Sequence, residues 1–146
     1  MQVGDVLIKK LKAPLYGTAL WIVISPNILR SIDAVEDSID KRIIDENGRK
    51  STRAYTYAYE DHGGKAKVLI FLTNNAKPGV IAHECNHAVN VILGWHGVKP
   101  SFANDEGESY YLEQIVDKVH KTIKQYNDRI TFSNQIPERG NTDSKA

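Results

Sequence analysis

The sequence predicts an α+β fold in which a small mixed sheet packs against three helices. Three observations carry this. Two short apolar runs rich in β-branched residues, TALWIVIS (Thr18 to Ser25) and KVLIFLT (Lys67 to Thr73), have strand length and no helical period. Three longer segments repeat apolar residues every three or four positions, the period of an amphipathic helix. The two kinds of segment alternate along one chain in the order strand, helix, strand, strand, helix, helix, with no internal repeat.

Taken in order, TALWIVIS reads as a buried strand that stops at Pro26. In SPNILRSIDAVEDSIDKRI, Ser25 is placed to cap a helix with Pro26 at its first position, and Ile28, Leu29, Ile32, Val35, Ile39 and Ile43 form its apolar stripe. This helix is expected to cover one face of the sheet. Asn47-Gly48 is a strong turn signal, after which STRAYTYAYE alternates so that Tyr55, Tyr57 and Tyr59 share one side of a strand. A turn at DHGGK, with Gly63 and Gly64, then leads into KVLIFLT, so these two strands are expected to form an antiparallel hairpin. In the segment from Val80, the apolar positions Val80, Ile81, Val89, Ile92 and Leu93 keep helical spacing until Gly94. A last helix is expected from about Asp105, with Tyr111, Leu112, Ile115, Val116, Val119 and Ile123 on its apolar side. Residues 1–132 are read as a single domain and 133–146 as a flexible polar tail.

Composition narrows the function classes. A chain of 146 residues can bury a core without a metal or disulfide staple. Its 19 Lys and Arg nearly balance 18 Asp and Glu, which gives no electrostatic footprint for nucleic acid, so no nucleic-acid partner is expected. The single cysteine, Cys85, excludes an internal disulfide framework and fits a reducing compartment. MQVGDVLIKK has no apolar stretch of secretory-signal length, and ALWIVIS is too short to span a bilayer. A cytoplasmic protein without a membrane partner is therefore expected.

The chemistry concentrates in VIAHECNHAV, residues Val80 to Val89. Residues four apart on a helix lie on one face, so His83 and His87 can aim imidazole nitrogens at a single metal ion. Glu84 is turned by about 100° from His83, close enough to reach a water on that ion without coordinating it. H-E-x-x-H thus supplies two zinc ligands and a general base. The plain alternative is an amphipathic helix that happens to carry two histidines. Against it, Ile81, Cys85, Val89 and Ile92 form a separate apolar side and leave the histidines together on another. Cys85, two residues from each histidine, points away from them and reads as a small buried hydrophobe.

A catalytic zinc site takes three protein ligands and keeps one position open. The extension H-E-x-x-H-x-x-G-x-x-H is excluded, because Asn90 and Leu93 stand where it requires glycine and histidine. A carboxylate remains, and Asp105, Glu106, Glu108 and Glu113 are the candidates at or near the start of the last helix. With HECNH (His83 to His87) followed by EGES (Glu106 to Ser109), the chain resembles the gluzincin metallopeptidases, whose thermolysin-like members pair HExxH with a later ExxS on a second helix. It most resembles the small zincin-like peptidases of bacteria and phages. The resemblance covers about Val80 to Leu112 and implies a minimal zincin-like domain, one Zn2+ per chain, His83, His87 and Glu106 as ligands, and Glu84 as the base. Thermolysin-like proteins carry an aspartate directly after ExxS, where this chain has Tyr110.

Tyr110 lies one turn beyond Glu106, where its hydroxyl could steady an oxyanion; a packed tyrosine is the competing account. His96, just past Gly94, is a reserve candidate, His62 is expected to be solvated in the hairpin turn, and His120 lies too far along its helix to join Glu106. The resulting expectation is a zinc metallopeptidase acting on a peptide or protein substrate, with Glu84 and Tyr110 as catalytic residues. An extended substrate is expected to pair with a free sheet edge. A zinc-stabilised binding or regulatory module that cleaves nothing is the alternative.

Overall fold

A computed structural model describes residues 2–3, 5–39, 41–43, 53–103 and 105–135. Its elements are β1 (Gln2–Val3), β2 (Val6–Lys12), β3 (Ala19–Ile24), α1 (Ile28–Ile39), β4 (Tyr55–Glu60), β5 (Ala66–Leu72), α2 (Pro78–Trp95) and α3 (Asp105–Gln135). The strands form one mixed sheet in the order β1-β2-β3-β5-β4. β3 and β5 are parallel, with Ile24 beside Leu72, and every other neighbouring pair is antiparallel. The α+β arrangement read from the sequence is therefore present, as is the β4–β5 hairpin. At its turn, Gly64 takes a φ of 72°, a conformation that glycine adopts without strain.

Both faces of the sheet are covered, which explains why β3 and β5 read as continuous apolar runs rather than alternating ones. On one face Ile8, Trp21, Val23, Leu69 and Phe71 pack against Ile28, Ile32 and Val35 of α1. Tyr55, Tyr57 and Tyr59 lie half-buried at the margin of this cluster, all on one side of β4 as the alternation predicts. The other face sends Leu20, Ile22, Val68, Ile70 and Leu72 against Ile81, Cys85, Val89 and Ile92 of α2 and Tyr111, Ile115 and Val119 of α3. The apolar side predicted for α2 is thus the buried one.

Four points differ from the sequence reading. The N-terminal hairpin of β1 and β2 went unread, because VLIKKLK buries Val6 and Ile8 on one face and Leu7 on the other while carrying three lysines, so no simple period shows. Asn27 rather than Ser25 caps α1: its Oδ1 accepts the Arg30 N–H at 3.2 Å, while the Ser25 hydroxyl oxygen accepts the Asn27 N–H at 3.1 Å. α1 stops at Ile39, and Ile43 is buried beyond the helix with its N–H donated to Glu36 Oε1 at 2.8 Å, while Leu29 sits 37% exposed, off the buried stripe. α3 continues to Gln135, three residues into the stretch read as tail, and residues 136–146 and the Asn47-Gly48 turn lie outside the described residues. Among the described residues no helix is long and apolar enough to cross a membrane.

Candidate metal centre

α2 enters directly from the loop after β5, with Pro78 at its start, where the missing N–H costs no hydrogen bond. Burying Ile81, Cys85, Ala88, Val89 and Ile92 against the sheet and α3 fixes the rotation of the helix about its axis, and the 3.6-residue repeat then turns His83 and His87 outward, both exposed. Their rings meet edge to face with centroids 4.7 Å apart and the two Nε2 atoms 3.1 Å apart. That separation is hydrogen-bonding distance for a neutral pair. It is also close to what zinc requires, since two nitrogens about 2.0–2.1 Å from a tetrahedral ion stand about 3.3 Å apart. The Nε2 separation alone is compatible with two ligands of one zinc ion.

Glu84 occupies the boundary between the exposed histidines and the core, at 7% exposure. The Thr56 hydroxyl, on β4, lies 2.6 Å from Glu84 Oε2 and 3.0 Å from the Glu84 main-chain carbonyl. Having one proton, it donates to one of these at a time or shares it between them, and the shorter, charge-assisted contact to the carboxylate is the stronger. Thr56 did not emerge from the sequence as a site residue. The signal was present, because the alternation that puts the tyrosines on the α1 side of β4 puts Thr56 and Ala58 on the α2 side. Cys85 is fully buried in the α2 core, and burial followed by the nearby Glu84 charge pushes its thiol up to about 12, in keeping with a packing role.

The carboxylates of α3 are placed by how that helix packs. Asn127 exchanges two 3.2 Å hydrogen bonds with Asn74, just before α2. At the other end Tyr16 stacks on His96 with centroids 4.1 Å apart and lies 6.2 Å from the Tyr111 ring, whose hydroxyl donates to the Pro14 carbonyl at 2.9 Å. α2 and α3 are thus antiparallel, with Tyr111 near the end of α2 and Asn127 near its start. His83 and His87 fall within that span, as do Glu113 and His120, whereas Glu106 lies before it in the exposed first turn of α3. Glu106 Oε1 accepts the Tyr110 hydroxyl at 3.4 Å, and Tyr110 is itself 58% exposed. Among the described residues no three His, Cys, Asp or Glu side chains gather closely enough to hold a metal ion. The structure therefore brings together His83 and His87, while the Glu84 carboxylate is engaged by Thr56 of β4, and Glu106 and Tyr110 form a separate pair. His96 stacks on Tyr16 and lies 3.3 Å from the Thr18 hydroxyl, at the opposite end of α2 from His83, and His62 is exposed in the hairpin turn as expected.

Compared with models of known families, with curated proteins and with solved structures, the chain finds no match.

Proposed function

We propose that the protein is a zinc-dependent metallopeptidase working on peptide or protein substrates in the cytoplasm, with a minimal zincin-like domain. The observation that carries this reading is the approach of the His83 and His87 Nε2 atoms to 3.1 Å on the helix that also carries Glu84. His83 and His87 would hold the ion, and we assign the third place to Glu106 from its spacing and the ExxS match. Zinc, when bound, supplies the Lewis acidity that makes water a nucleophile at neutral pH. With Oε2 committed to Thr56, Glu84 Oε1 accepts the proton of the attacking water and returns it to the leaving amine. Tyr110 would donate to the developing oxyanion, a role that stands or falls with Glu106, one turn before it. β4, at the end of the strand order and joined to α2 through Thr56, is the edge along which an extended substrate would lie.

A zinc-stabilised binding module without turnover is the second reading, favoured by the lack of a third gathered donor among the described residues. Glu84 weighs against it, since a structural site has no need of a base and is ordinarily closed by four protein ligands. Zinc content by mass analysis, together with cleavage of a peptide library by wild type and Glu84→Gln, separates the two. One zinc per chain in both proteins and product from wild type alone is the expected result. Equal product from both would remove Glu84 as the base.

A further inference from the structure

A surface cavity at the start of α2 has a definite charge. β3 and β5 end side by side at Ile24 and Leu72, and the chain then leaves to opposite faces, into α1 from one strand and α2 from the other. Such a divergence opens a crevice beyond the carboxyl ends of parallel strands, the usual ligand position in sheets of this kind. Here it is a cavity of about 620 Å³ whose walls include Asn27, Leu29, Arg53, Asn75, Lys77 and Val80. Its size is in the range of small-ligand sites. Arg53 and Lys77 bring two positive charges, and no Asp or Glu lines it among the described residues.

Two residues of the cavity wall are close in the chain to the proposed site. Val80, 37% exposed, is one helical turn before His83 and Glu84 and shares their side of α2. Arg53 is three residues before Thr56, whose hydroxyl holds Glu84. Three residues span at most about 10 Å and one helical turn about 5 Å, so the cationic cavity lies within about three substrate residues of a bond attacked at the histidines. We infer that this cavity is a specificity subsite that takes a carboxylate of the substrate, held by the Arg53 guanidinium and the Lys77 ammonium. A guanidinium matches a carboxylate with two parallel N–H···O contacts, and an ammonium adds a point charge that a neutral side chain cannot exploit. The inference rests on the peptidase reading for its role, but the cavity's preference for carboxylate can be measured without turnover.

The test uses the full chain carrying Glu84→Gln, so that bound peptides survive. It is titrated by amide-resolved NMR with four matched hexapeptides: one with an internal Glu and blocked ends, its Gln and Lys counterparts, and a neutral one with a free terminal carboxylate. A carboxylate peptide should bind about tenfold or more tighter than the Gln peptide, with shifts at the Asn27, Arg53 and Val80 amides. Preference for the internal Glu assigns an acidic side chain, and preference for the free terminus assigns the substrate's chain end; either supports the subsite. Arg53→Gln with Lys77→Gln should abolish the preference, and Asn75→Asp, which places a carboxylate in the wall, should do so independently should the double variant misfold. Equal affinity for all four peptides, or a preference that survives in the folded variants, overturns the inference. A chain that binds the acidic peptides at this cavity while wild type cleaves none would leave the subsite standing and bring down the peptidase reading instead.

Discussion

Thr56→Val replaces a hydroxyl by a methyl of nearly the same shape and so isolates the contact between β4 and Glu84. At 2.6 Å to Oε2, the hydroxyl makes a charge-assisted hydrogen bond to a carboxylate only 7% exposed, where water cannot fully take its place. Bonds to charged groups contribute about 1.5–3 kcal/mol, so the variant should lose roughly that much stability. For a chain of this size, it corresponds to a fall in Tm of about 5–12 °C. Thr56→Ser keeps the donor and should lose less. The attribution is secured by a double-mutant cycle with Glu84→Gln, followed by urea unfolding at pH 7 and read by circular dichroism. Because Gln is neutral, the hydroxyl contributes less against it, and a coupling energy of about 1 kcal/mol or more is expected between positions 56 and 84. Where turnover is measurable, Thr56→Val should also lower kcat about tenfold with zinc content unchanged, since it frees the base to leave its orientation. A coupling below about 0.3–0.5 kcal/mol, the range of independent sites, would refute the reasoning and reduce Thr56 to an ordinary strand residue.

Three further outcomes are expected. Glu106→Gln should weaken zinc binding by an order of magnitude or more while Glu113→Gln leaves it nearly unchanged; competitive chelator titration measures both, and a loss confined to Glu113→Gln would move the third ligand to the carboxylate that lies between Tyr111 and Asn127 in the antiparallel span. Ile32→Ala, at a fully buried position of α1, should cost about 2–5 kcal/mol, whereas Leu29→Ala should cost under about 1 kcal/mol because Leu29 is already 37% exposed; urea titrations of the two variants give the comparison. Asp61 is held below the usual carboxylate range by the Lys65 N–H, then by the Gly63 N–H and the Lys67 charge, against a desolvation that raises it. Its folded value being the lower one, its contribution is present above the unfolded value of about 3.9 and is lost as pH falls through the folded value; the gap in Tm between wild type and Asp61→Asn should therefore close in acid, and a gap constant from pH 7 to pH 2.5 would show that the loop does not depend on the charge.

What the sequence made legible followed from how local each signal is. β3, β5 and α2 announce themselves because burial on both faces or on one helical side writes an unbroken period into a few consecutive residues. β2 does not, because a strand that buries Val6 and Ile8 on one side and Leu7 on the other, then ends in exposed lysines, presents neither alternation nor a continuous run. The start of α1 was misplaced by two residues since Ser25, Pro26 and Asn27 all carry helix-start chemistry, and only the actual bond from Arg30 N–H to Asn27 Oδ1 chooses among them. The approach of His83 and His87 is set by helical geometry alone, and that much was readable. Thr56 is 28 positions from Glu84, and the pairing that joins them exists only once β4 has docked beside α2. A third ligand, which the proposed function requires, is harder still, because the height of a carboxylate on α3 relative to His87 depends on how two helices slide past each other.

That sliding is fixed at both ends by residues with no part in the proposed chemistry. Asn74 and Asn127 tie the start of α2 to the later part of α3, while Tyr16 bridges His96 and Tyr111 at the far end, and Tyr126 anchors α3 to the main chain at Asp5 through a 2.9 Å hydrogen bond. Between these ties Ile115 and Val119 are fully buried in the same cluster as Cys85, Val89 and Ile92, so shifting α3 by one turn would leave several close-packed side chains without their partners. The first turn of α3, carrying Asp105, Glu106 and Glu108, lies outside the ties, is largely exposed, and follows a connection exposed throughout Lys99 to Ala103. The first turn is therefore less restrained than the stretch carrying Glu113, which is held on both sides. This difference in restraint, together with the ExxS spacing, is why Glu106 keeps the assignment although Glu113 stands nearer the height of His87.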